Sequence, residues 1–239
     1  MASGPAAIVK GSRTVNILAI GPHPDDVEIG MGGTILVLRS QGHRVTICDL
    51  TNGEPTPIGT PERRAKEARE AAEILGVERV TLEMPNRYLT DTVENRTRVA
   101  EVIRSSRPEV LFVPYWVDAH PDHVAAAQLT EASRFYAKLT KTTIPGEPFY
   151  PRRVLHFLTT HYRLHVRPSF VVDISAHVET KMRAVAAYAS QFGPERGTEG
   201  LLKELQDYTR YYGQLIGRRH GEPFVSREEI GLSGLDQLV

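Results

Sequence analysis

The chain has 239 residues, 41% of them apolar, and its 29 basic and 29 acidic side chains leave a formal net charge of zero. That length suits one large domain with a sizeable core, of the ordinary soluble α/β or α+β class. The interleaved charges speak against a nucleic-acid or membrane surface as the main partner. The lone cysteine, Cys48 in the run RVTICDL, excludes an internal disulfide framework and reads as a small buried hydrophobe in a reducing, cytoplasmic protein. No stretch approaches the roughly 18 consecutive apolar residues of a membrane span, and the N-terminus has no signal-peptide pattern.

Residues 1–13 read as a flexible leader, followed by a single domain over 14–239. VNILAIG (15–21) is a fully buried strand, and GGTILVLRSQG (32–42) is a helix stopped by Gly42. RVTICDL (44–50) is a second strand. Thr60 and Pro61 then start a helix that Gly76 ends. ERVTLEM (78–84), VENRTRVAEVIRSSR (93–107), EVLFVPY (109–115) and PDHVAAAQLTEASRFYAKL (121–139) continue as strand, helix, strand, helix. This alternation predicts an α/β fold: a Rossmann-like, mostly parallel sheet with helices on both faces. Beyond residue 140 the rhythm loosens. VLHFLTTH and SFVVDIS are strands, helical patterns run over 176–191 and 199–217, and the tail from Gly221 has little periodicity.

In an open parallel sheet, ligands sit beyond the carboxyl ends of the strands. Two loops leave such ends carrying a His-Pro-Asp core: GPHPDD after the first strand and YWVDAHPDH after the fourth. Adjacent aspartates at the end of a buried strand are costly unless a positive charge offsets them. A metal ion supplies that charge, and His, Asp and His are ligand types that suit catalytic Zn²⁺ with an open position. The competing reading of HPDD is a turn with a helix N-cap, which leaves the second histidine-rich copy unexplained. The chemistry such a site supports is amide hydrolysis. A cation makes hydroxide available near neutral pH, a carboxylate takes the proton, and an imidazole stabilises or protonates what develops.

HPDD followed by EIGMGG, with AHPDH about a hundred residues later, resembles the zinc-dependent N-acetylglucosaminyl deacetylases of the LmbE-like, or PIG-L, family. GTPERRAKEAREAAEILG, RPSFVVDIS, SQFGP and YYGQLIGRRHGEPF are similar to its bacillithiol-biosynthesis branch. The resemblance spans nearly the whole chain and implies an LmbE-like fold and a hydrolase acting on linear amide C–N bonds. His23, Asp26 and His123 would ligate Zn²⁺, with Fe²⁺ as the other candidate in the cell. Asp25 would be the general base, His120 the oxyanion stabiliser or amine acid, Asp122 the partner that tunes His120, and Arg64 the residue gripping the sugar. The implied substrate is N-acetylglucosaminyl malate, with another small N-acetylated sugar or a thiol-conjugate amide as alternatives. The stretch over 140–165 diverges and bears on substrate choice. A homo-oligomer acting on a small molecule is expected, with no nucleic acid and no membrane.

A different class, a non-hydrolytic nucleotide-binding module, is suggested by GMGG (30–33) and by Asp49, which would suit a ribose. The spacing G-x-G-x-x-G is absent, however, and close helix-to-strand packing explains these glycines as well. A non-catalytic scaffold would need neither Asp25 nor His120. Tyr211 and Tyr212 suit the crevice, the core or a subunit interface. His43, His156, His161, His165, His177 and His220 have no comparable context and are taken as structural or exposed.

Overall fold

A computed structural model describes residues 13–234. The strands are β1 (Asn16–Gly21), β2 (Arg44–Thr51), β3 (Glu78–Met84), β4 (Val110–Pro114), β5 (Arg153–Phe157), β6 (Phe170–Asp173) and β7 (Gly221–Val225). They form one sheet in the order β3-β2-β1-β4-β5-β7-β6. β1 to β5 are parallel, whereas β7 runs antiparallel to both β5 and β6. The helices are α1 (Asp26–Ser40), α2 (Pro61–Leu75), α3 (Val93–Ser106), α4 (Pro121–Ala137), α5 (Val178–Ala186), α6 (Ala189–Phe192) and α7 (Glu199–Leu215). The expected leader lies outside the described residues except for Arg13, which pairs with Glu109.

The apolar runs of β1 and β4 supply both faces of the sheet. Leu18, Ile20, Leu111 and Val113 pack beneath α3 and α4, while Ile17, Ala19 and Phe112 pack with Val27, Met31 and Ile35 of α1. Burial on both faces is why these strands read as unbroken apolar runs. Thr60 caps α2 by accepting from the Arg63 N–H, with Pro61 at the first helical position and Gly76 left-handed at φ 68°. Cys48 is fully buried, and burial pushes its thiol far above the usual range.

Two elements differ from the sequence reading. The tail contains β7, which enters the sheet between β5 and β6. In addition, α1 starts at Asp26, inside the first His-Pro-Asp loop, and breaks at Met31 (φ −150°, ψ 18°) before continuing. The break lies within GMGG, where helix kinks commonly fall. A Cβ on Gly30 would meet the Phe157 ring at 2.4 Å, and one on Gly33 would meet Ile174 at 2.7 Å. These glycines therefore serve close packing.

The break frees backbone groups that a continuous helix would pair. Glu222 of β7 accepts from the N–H groups of Gly33 (2.9 Å) and Thr34 (2.6 Å). Lys181 of α5 donates to the Ile29 carbonyl and to Glu222, both at 2.6 Å. Both side chains are almost wholly buried, so removing one strands the other. Glu222→Ala is expected to cost about 3–5 kcal/mol of unfolding free energy, measurable by urea denaturation. A loss of under roughly 1 kcal/mol, the size of an ordinary exposed pair, would contradict the splice.

Candidate active site

The loops after β1 and β4, neighbouring parallel strands, converge at the carboxyl edge of the sheet. Thr51 fixes the first loop by donating from both its N–H and its hydroxyl to the Pro22 carbonyl (3.0 and 2.9 Å). Asp25 follows in a positive-φ conformation (φ 120°, ψ −30°), which costs backbone energy in a non-glycine residue. The strain sends the two aspartates to different places.

Asp26 lies between two imidazoles. Its Oδ2 is 3.1 Å from His23 Nδ1 and its Oδ1 is 3.3 Å from His123 Nε2. One ligand atom from each of His23, Asp26 and His123 falls within 4.8 Å of the others. The remaining ring nitrogen of each histidine faces another carboxylate: His23 Nε2 is 3.2 Å from Asp122, and His123 Nδ1 is 2.6 Å from Asp118. Histidine ligands of metals usually have such carboxylate partners. Asp25 instead accepts from Arg64 Nη2 at 2.8 Å. Arg64 is only 3% exposed and also donates to the Pro24 carbonyl, while its Nε and Nη1 have no partner among the described residues.

The electrostatics follow from this placement. Burial would raise Asp26, but the charge of His123 and the hydrogen bonds from His23 outweigh it and hold Asp26 well below the carboxylate range. Burial raises Asp25 to about 7, although Arg64 pulls the other way. Burial would lower His23; the hydrogen bonds to Asp122 and Asp26 prevail and raise it to about 10. The negative charge of Asp122, Asp26 and Asp25 thus exceeds what Arg64 offsets and draws a proton onto His23. A divalent cation answers the same excess with double the charge, and the His-Asp-His donor set suits Zn²⁺ or Fe²⁺.

The second loop departs from expectation in one respect. Asp122 sits just inside the start of α4, and its own N–H donates to His120 Nδ1 (3.2 Å). Its carboxylate turns away from His120, accepting from the N–H groups of Arg87 (2.6 Å) and Leu89 (3.2 Å) besides contacting His23. The direct bond expected between the Asp122 carboxylate and the His120 ring is therefore replaced by one to His23. His120 is lowered to about 4, first by burial and then by the charges of His23 and His123. With Nδ1 accepting, its ring proton lies on Nε2.

Sequence reading missed two residues here. Asp118 accepts from the His161 N–H (2.8 Å), and His161 Nδ1 lies 3.5 Å from the same carboxylate. The His161 ring stands 5.1 Å from that of His123 and 5.4 Å from that of His120. It is exposed, as expected, but it lines the site. Conversely, Asp49 is buried and held by Arg79 through two bonds of 2.6 and 2.7 Å, so it is not free for a ribose. Tyr212 is buried and Tyr211 exposed; Tyr208 is the α7 tyrosine on the cavity. That cavity, about 920 Å³, has His23, Asp25, Asp26, Arg64, His120 and His123 along its wall.

The profile of the PIG-L family, described as GlcNAc-PI de-N-acetylase, matches residues 18–133. The chain is 35% identical over 224 residues to a diacetylchitobiose deacetylase of Thermococcus kodakarensis, covering 86% of this chain and 80% of that one. It is 28% identical over 208 residues to a probable N-acetyl-alpha-D-glucosaminyl L-malate deacetylase 2 of Bacillus anthracis, covering 80% and 87%. The crystal structure of a conserved protein from Thermus thermophilus superposes with a TM-score of 0.83 at 39% identity, covering 92% and 97%. The fold and these matches place the chain among the α/β deacetylases of the LmbE-like type. The chain belongs to the PIG-L family. Among the described residues no helix is long and apolar enough to cross a membrane.

Proposed function

We propose that this chain is a metal-dependent hydrolase that removes the N-acetyl group from an N-acetylglucosamine conjugate. The observation that carries this reading is the division of labour between adjacent aspartates. Asp26 is fixed between two histidines, whereas Asp25 is raised toward neutrality and lines the cavity. His23, Asp26 and His123 would hold Zn²⁺ or Fe²⁺, which when bound makes water more acidic and polarises a carbonyl.

Asp25 takes a proton from the attacking water and, once protonated, supplies one to the departing amine. The water oxygen forms a bond to the acetyl carbon, the C–N bond breaks, and acetate and the free amine leave. Arg64 holds the Asp25 carboxylate in place and, lining the cavity, would grip the sugar. His120, neutral with its proton on Nε2, donates a hydrogen bond to the oxygen that gains charge. Asp122 and Asp118 orient His23 and His123.

A malate conjugate is the case implied by the bacillithiol-branch resemblance and named for the probable B. anthracis deacetylase, but the leucines on the cavity wall suit a less polar conjugate. The setting would then be cytoplasmic, with the protein acting as a homo-oligomer. Incubating the purified, metal-loaded protein with a panel of N-acetylglucosamine conjugates and measuring acetate tests the activity. Release from at least one is expected, and release from none would overturn the reading.

Asp122→Asn separates orienting a metal ligand from tuning His120 or merely starting a helix. The expected result is metal affinity about 10- to 100-fold weaker, read by chelator competition. Unchanged affinity would return Asp122 to a capping or His120-tuning role.

A further inference from the structure

The cavity that holds the catalytic residues also has leucines along its wall. The segment after β5 lines it with Leu158 and Leu164 among polar residues, and α7 contributes Leu201, Leu202, Leu205 and Tyr208 together with Glu204. Spacings of one, four and seven residues put these α7 positions on one helix face. The C-terminal half of α7 is anchored on β7. A Cβ on Gly213 would meet the His220 backbone at 2.5 Å, and Thr209 bonds the His220 ring at 2.9 Å. The N-terminal half lines the cavity with Leu201 42% and Tyr208 38% exposed, and Leu164 of the same cavity is 38% exposed.

Leucines left in water within a concavity continuous with a reaction site mark a ligand surface rather than spare core. Ligand cavities run to roughly 1,000 Å³ for drug-sized molecules, and about 920 Å³ accommodates more than one acetamido sugar. We infer that the leucine-lined part of the cavity binds an apolar alkyl or aryl group carried by the N-acetylated sugar. The inference rests on the deacetylase reading and narrows its substrate class. Malate, small and dianionic, would find cations in Arg163 and Arg196, which line the same cavity but are exposed side chains that water already satisfies.

The test compares kcat/KM for acetate release from methyl, hexyl and malyl N-acetylglucosaminides, using metal-loaded wild-type protein and Leu201→Asp and Leu164→Asp. Burial of each methylene favours the longer chain by up to about fourfold, so the hexyl compound is expected to exceed the methyl one at least ~10-fold. That ratio should fall toward one in both variants. Acetate release with no chain-length preference, or with the malyl compound preferred over the hexyl, would overturn the inference and leave the deacetylase reading standing. If no compound releases acetate, the deacetylase reading fails, and calorimetric titration with the hexyl compound decides the subsite. Saturable binding weakened by Leu201→Asp upholds it; absence of binding ends it.

Discussion

Asp25→Asn is expected to lower kcat by ~10²-fold or more, the usual size of a general-base contribution, while the protein keeps its metal. Asparagine preserves the shape and can still accept from Arg64 Nη2, which bonds Asp25 at 2.8 Å. It also tolerates the positive φ of 120° at this position better than most residues. What it lacks is the basic oxygen. In the wild type the base must be ionised, so activity should fall as pH drops through the pKa of Asp25. That value is raised to about 7 by burial, and a bound cation, by favouring the carboxylate, moves the acidic limb below it. Measuring kcat and metal content of the variant together decides the matter. Near-normal turnover would assign the proton to another group, and loss of metal would exchange the roles of Asp25 and Asp26.

His123→Ala is expected to lose most of the bound metal. His123 lies 3.3 Å from Asp26 and 2.6 Å from Asp118, so its removal deletes one donor and takes a partner from each of two buried carboxylates. The fold should survive, because the apolar clusters on the two faces of the sheet do not include His123. Elemental analysis of the folded variant is the check. Full occupancy would remove His123 from the ligand set.

Much of this architecture was legible because its signals are local. Unbroken apolar runs gave β1 and β4, and Thr60, Pro61 and Gly76 bounded α2. β7 was not legible: GEPFV is short and holds a proline, a residue that cannot donate to a ladder and is rare between two strands. The break in α1 depends on Lys181 and Glu222, more than 140 residues away in sequence, so only tertiary structure reveals it.

The site divides in the same way. His23, Asp25, Asp26, His120 and His123 stood out because each loop brings its histidine and carboxylate together at a strand end. Asp118 had a signal, as a further carboxylate two residues before His120. His161 had only its position after β5, the strand beside β4. The family resemblance implies that the Asp122 carboxylate serves His120, its near neighbour in sequence. The start of α4 instead directs it to His23 and to the backbone of Arg87 and Leu89.

The most direct test of a cation-dependent deacetylase built on His23, Asp26 and His123 is acetate release before and after metal removal. Protein stripped with a chelator should release almost no acetate from an N-acetylglucosamine conjugate. Stoichiometric Zn²⁺ or Fe²⁺ should restore the rate in the wild type but not in His123→Ala. Equal rates from stripped and reloaded wild-type protein would contradict the account.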